Sequence, residues 1–151
     1  MKNFYKEMFA YHHEINQKII DYLIQHEDRI SDRCRFLISH SILANQLWNE
    51  RMEGKPFIDP NVVHPLEQLK IMDKENFDKT IKLIDTKDFD ETDSYKNAKG
   101  KAFKNTVAQI LFQVANHFTH HRGQLMSELR SLGIRPLITD YIYVTRTSVE
   151  N

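Results

Sequence analysis

The spacing of apolar residues constrains this chain more than any other feature. In four long stretches they recur three or four positions apart, the repeat of one helical face. The first stretch runs from about Phe4 to Gln25, with Phe4, Met8, Tyr11, Ile15, Ile19 and Tyr22 or Leu23 on its face, and His26, Glu27 and Asp28 break it. The second runs from about Ser31 to Glu53. Leu37, His40, Leu43 or Ala44, and Leu47 form its face. Asp32 suits the positive end of its dipole, and Gly54 supplies its stop. A loop, KPFIDPNVVH, then leads to Pro65. Proline gives up no helical hydrogen bond at a first position, so the third helix is expected to begin there and to run to about Thr86. Leu66, Leu69, Phe77, Ile81 and Ile84 make its face. The fourth opens on Thr106-Val107-Ala108-Gln109, the form of a capping box. Val107, Ile110, Val114, His117, His121, Leu125 and Leu132 continue it, Gly133 caps it, and Pro136 prevents a restart.

Residues 87–105 are polar and lose the helical period. A weak alternation around Phe89 and Tyr95 reads as a long connection with room for one short hairpin. The tail LITDYIYVTR is either extended or a short helix packed on the other helices. A length of 151 residues predicts one domain, residues 1–151, able to fold without disulfides. Four glycines and four prolines are too few for a turn-rich β-sandwich. The expected fold class is therefore all-α, a four-helix bundle with a long connection between helices three and four.

Composition narrows the partners. Lysine plus arginine and aspartate plus glutamate both total 21, a formal net charge of zero. That argues against attachment to nucleic acid or an anionic membrane by bulk charge. No apolar run approaches the roughly 20 residues of a bilayer span, and MKNFYKEMFAYHHEI is too interrupted by charge for a signal peptide, so a cytoplasmic location is expected. The single cysteine, Cys34, excludes an intrachain disulfide and a cysteine-only metal site, and it reads as a packed thiol.

The chemistry rests on the eight histidines. His117 and His121 stand four apart on the apolar face of the fourth helix, one turn apart, where two imidazoles can hold one ion. His40 lies mid-way along the second helix on its apolar face, at a depth the fourth helix can share in an antiparallel bundle. Three inward histidines at one level would make a site with an open coordination position. The alternative is a set of core histidines satisfied by carbonyls or carboxylates. His120 is turned roughly 100° from His121 and should face elsewhere. His12 and His13 are adjacent, so at most one can face the core, and His26 and His64 fall at helix ends. No Glu-x-x-His pair, phosphate loop, G-x-S-x-G elbow or Cys-x-x-Cys is present.

Asn116-His117-Phe118-Thr119-His120-His121-Arg122-Gly123-Gln124-Leu125 resembles the N-H-x-x-H/Y-H-R-G-Q signature of the DinB family, the damage-inducible or YfiT-like four-helix-bundle proteins. His40 within LISHSILANQLW, followed by Trp48, strengthens the likeness, with weaker echoes at Tyr11–Asn16, Gly133–Pro136 and Thr139-Asp140. The resemblance implies a divalent-metal triad of His40, His117 and His121, with Gln113 or water where many members have a fourth histidine. Zinc is the expected ion in the cell, and nickel one that a purified sample readily carries. It also implies a transferase that activates a low-molecular-weight thiol toward a small electrophile, and pairing into a homodimer. A metal-dependent hydrolase and a non-catalytic, metal-stabilised interaction protein are the alternatives. Trp48 and Tyr11 are candidate pocket walls, Glu50 and Asp140 candidate general bases, and no catalytic residue is assigned. Arg122 is either solvated or paired, for instance with Asp140. Gly123 costs its helix about 1 kcal/mol relative to alanine, which close approach of a neighbouring helix or chain would explain.

Overall fold

A computed structural model describes residues 1–97 and 99–148. The four periodic stretches give α1 (Lys2–Gln25), α2 (Asp32–Met52), α3 (Leu66–Thr86) and α4 (Val107–Ser131). Between α3 and α4 the polar connection forms a hairpin of β1 (Thr92–Lys96) and β2 (Ala102–Thr106), antiparallel with Thr92 opposite Thr106 and Lys96 opposite Ala102. A short helix, α5 (Tyr141–Thr145), ends the described chain. The protein is mostly helical. α1 lies along α3, α2 along both α3 and α4, α1 also touches α4, and α5 rests on α1. Among the described residues no helix is long and apolar enough to cross a membrane.

The helix ends follow the chemistry of their flanking residues. Thr106 accepts from the Gln109 amide, and the Gln109 side chain accepts from the Thr106 amide. Two donors that a helix start leaves unpaired are thereby satisfied. The segment leading into the hairpin takes up two more: Val107 N–H donates to the Glu91 carbonyl and Ala108 N–H to that of Phe89. At the other end Gly133 adopts φ 70°, which lets Ile134 N–H reach the Leu129 carbonyl and Gly133 N–H that of Arg130. This double bond pattern closes the helix, and Ile134 and Leu129 meet in the core. Pro65 sits one position earlier than its sequence suggests: it flanks α3 with extended backbone (ψ 143°), and Leu66 is the first helical residue.

The core has two apolar clusters. One gathers Ile15, Ile19, Leu37, Leu69, Leu125 and Leu129, the other Tyr5, Phe9, Leu83, Ile84, Ile110 and Leu111. The start of α1 is rotated from the expected stripe. Tyr5 and Phe9 enter the core, while Phe4 is exposed and Met8 half-buried, because both face a cavity beside α4. Cys34 is fully buried.

The buried stripe of α3 differs most from expectation. Leu66, Leu69, Asp73, Asn76, Thr80 and Leu83 form it, so its middle is polar, and Phe77 and Ile81 stand at its half-buried edge. Asp73 is 3% exposed and accepts from Asn16 (2.7 Å), Gln17 (2.9 Å) and His13 (2.5 Å), all on α1. Toward α2, Asn76 donates to the Ile42 carbonyl, Asn49 donates to the Asn76 carbonyl, and Thr80 lies against Asn45 and Asn49. Removing the Asp73 carboxylate strands the buried Asn16 amide, at about 1–3 kcal/mol, and loses the half-buried bonds of His13 and Gln17. Asp73→Ala is expected to destabilise the protein by about 2–3 kcal/mol, read as a lower urea midpoint at unchanged slope.

Candidate metal centre

His40 projects from the middle of α2, and His117 and His121 from successive turns of α4, the helix that lies along it. One ring nitrogen from each stands within 4.8 Å of the other two. The ring centroids are 5.1 Å apart for His40 and His117, 4.8 Å for His40 and His121, and 4.3 Å for His117 and His121. Helix pairing alone creates this convergence, since His40 is 77 positions from His117 in the chain.

Hydrogen bonds outside the triad orient two of the rings. His40 Nδ1–H donates to the Pro60 carbonyl at 3.0 Å, and His121 Nδ1–H donates to Gln124 Oε1 at 2.8 Å. Each bond leaves the Nε2 lone pair of its ring free, the arrangement found behind metal-binding histidines. Gln124 also reaches His120, its amide nitrogen 3.2 Å from His120 Nε2. Phe36 stacks on His40 at 5.5 Å and is itself 36% exposed, so it forms an apolar shoulder to the site.

The donor set fits a divalent ion. His117 Nε2 and His121 Nε2 are 3.1 Å apart. Two nitrogens each about 2.0–2.1 Å from a tetrahedral zinc would stand about 3.3 Å apart. Burial, reinforced by the neighbouring imidazoles His121, His40 and His120, pushes His117 down to about 4. Burial likewise lowers His121. Both are therefore neutral near pH 7, the form that coordinates metal. All three rings are half-buried, so the site lies at the edge of the α2–α4 seam rather than inside the core.

The other candidates lie elsewhere. Gln113 is exposed one turn before His117. Trp48 packs edge-on against Tyr95 of the hairpin, with Arg51 over both rings. Tyr11 is buried and lines a cavity on a different face of α4, together with Asp140. Glu50 is held by Lys79 (2.6 Å) and Lys55 (3.4 Å). Neither candidate base therefore belongs to the triad, and no carboxylate or thiolate joins it among the described residues. Of the adjacent pair, His12 is buried and His13 reaches Asp73. His120 is exposed. Sequence reasoning assigned no role to Pro60 or Gln124. A backbone carbonyl leaves no sequence signal, whereas Gln124, three positions after His121, was in view within the motif. Gly123 also departs from expectation: a Cβ there would meet nothing within 4 Å.

The sequence profile of the DinB family matches residues 1–149. Protein DinB of Bacillus subtilis (strain 168) is similar to this chain, 27% identical over a 172-residue alignment that covers 99% of each.

The low affinity of His117 for protons makes stability pH-dependent. Above pH 6.5, its ordinary value, the ring is neutral whether the chain is folded or unfolded, and its contribution is fully present. Between 6.5 and about 4 the unfolded chain takes up a proton there that the folded chain refuses, so stability falls with pH, levelling off below. Chelator-treated protein is expected to show this loss in thermal melts across that window. His117→Gln should make the decline shallower.

Proposed function

The chain belongs to the DinB family, and on that premise we propose that its long helices form the family's four-helix bundle around a divalent-metal centre built from His40, His117 and His121. The centre serves a transferase reaction, in which a low-molecular-weight thiol is activated toward a small electrophile. One observation carries this reading. Three imidazoles converge from two helices, with the Nε2 lone pairs of two of them already set by Pro60 and Gln124. A divalent ion bound there, zinc or nickel, supplies Lewis acidity that favours the deprotonated form of a coordinated thiol or water.

The residues around the triad favour a thiol. Among the described residues no carboxylate stands with the three histidines to take a proton from water. Free thiols ionise near pH 8.5, whereas bulk water has a pKa of about 15.7. A thiol therefore needs no base here, but the same ion would bring the pKa of a bound water to about 7, so hydrolysis stands as the second reading. Three neutral ligands also leave the site's charge to the ion, so an incoming thiolate is attracted rather than repelled. Phe36 offers an apolar surface beside His40 for the body of a substrate.

The same reading takes the partners to be small molecules in the cytoplasm, with neither nucleic acid nor membrane among them, and the working unit to be a homodimer. A bundle that uses its ion only for stability would bind metal without turnover. The deciding experiment is metal content by elemental analysis, followed by a screen of thiols against electrophiles using the metal-loaded protein.

His40→Ala, His117→Ala and His121→Ala should each lose most of the bound metal, whereas His120→Ala should keep it. Gln124→Ala should weaken affinity about 10–100-fold by freeing the His121 ring. A wild-type protein that neither binds metal nor melts higher in its presence would refute the proposal. Metal binding without any thiol-dependent turnover would instead favour the stabilising role.

A further inference from the structure

Arg122 is the least expected charge in the molecule. It is 7% exposed and follows His121 directly, yet it faces α1 rather than the triad. Its Nη2 donates to His12 Nδ1 at 3.2 Å and to Thr119 Oγ1 at 3.4 Å, and the guanidinium lies over the Tyr11 ring at 4.9 Å. None of these partners is an anion. Its Nη1 is buried and has no hydrogen-bond partner. Asp140 lines the cavity beside it, but no ion pair joins the two among the described residues. The charge of Asp140 acts on Arg122 only through space, and a buried guanidinium with no hydrogen-bonded anion is costly, while its planar fork matches a carboxylate.

That cavity has a volume of about 520 Å³, within the range of small-molecule sites. Phe4, Met8, Tyr11 and Tyr141 supply apolar surface, and Phe4 and Tyr141 are exposed at its edge. Gly123 gives a second, independent sign. Glycine weakens the interior of a helix, yet here it permits no close packing, since a Cβ would meet nothing within 4 Å. It borders the cavity, where any side chain would project into the space.

We propose that the cavity between α1, α4 and the segment Thr139–Tyr141 binds a small monocarboxylate with an apolar body, its carboxylate on Arg122 and its body in the space that Gly123 leaves open. A single arginine with Asp140 nearby suits one negative charge better than the two of a phosphate monoester. Successive helix residues are turned about 100° apart, so this site and the histidine triad occupy different faces of α4. The proposal does not depend on the triad holding metal.

The test is calorimetric titration of the full chain with benzoate, phenylacetate and hexanoate, and with benzamide as the uncharged control. At least one acid should bind saturably, with benzamide weaker by about tenfold or more. Binding should persist in chelator and in His117→Ala. Arg122→Gln should weaken it at least about tenfold. Gly123→Leu should abolish it while leaving the melting temperature at or above that of wild type, which keeps the test decisive if Arg122→Gln fails to fold. The proposal is overturned if no acid binds by about 10 mM, if benzamide binds as well as benzoate, or if binding disappears with chelator. It is equally overturned if Gly123→Leu binds the acid as wild type does and changes only the oligomeric state in sedimentation, which would make this face a contact between copies.

Discussion

The buried carboxylate of Asp73 is the interaction on which the helix arrangement most depends. A desolvated carboxylate is tolerable only where donors surround it, and His13, Asn16 and Gln17 supply them from two turns of one helix. Those donors meet Asp73 only at one axial register of α1 against α3. Three and seven positions further on, Asn76 and Thr80 impose the same restriction between α3 and α2. Apolar packing tolerates sliding by fractions of a turn, whereas a directional network strands its members if it slips. α3 thus serves as a ruler for α1 and α2, and through α2 it sets the height of His40.

α4 then presents two candidate sites because neighbouring residues on it face different helices. His117 and His121 look toward α2, where half-burial keeps the rings neutral yet reachable. Phe118 and Arg122 look toward α1, where His12 stacks on Phe118 at 5.2 Å and accepts from Arg122. Burial together with the charge of Arg122 holds His12 down at about 3, so this contact is that of a cation with a neutral ring. One helix, closed by a capping box at its start and by Gly133 at its end, holds both faces rigidly.

Much of this was legible in the sequence, for physical reasons. Helical periodicity is a local property, and burial of one stripe follows from it, so all four long helices and the Thr106 cap could be read directly. The triad was legible because a four-residue spacing places His117 and His121 together whatever else happens, and His40 lay mid-way along the apolar face of the second helix, at a depth the fourth helix can share. The polar centre of α3 was not. A search for apolar stripes selects Phe77 and Ile81, and only the arrangement of three helices shows that Asp73, Asn76 and Thr80 find partners. The start of α1 was misread for a related reason. Phe4 and Tyr5 are both aromatic, and which one enters the core depends on the cavity that Gly123 leaves beside α4. The hold of Pro60 on His40 is invisible to any reading of side chains.

The short contact between His117 Nε2 and His121 Nε2 constrains where the ring protons of the triad can sit. His121 spends its only ring proton on Gln124, so its Nε2 can only accept. The proton shared across the 3.1 Å contact therefore belongs to His117, whose metal-facing nitrogen is occupied by hydrogen. His40 and His121 present a free Nε2 lone pair as they stand, while the neutral His117 ring would first have to exchange its Nε2 proton for one on Nδ1. Turning all three nitrogens to one point is thus coupled to the tautomer of His117.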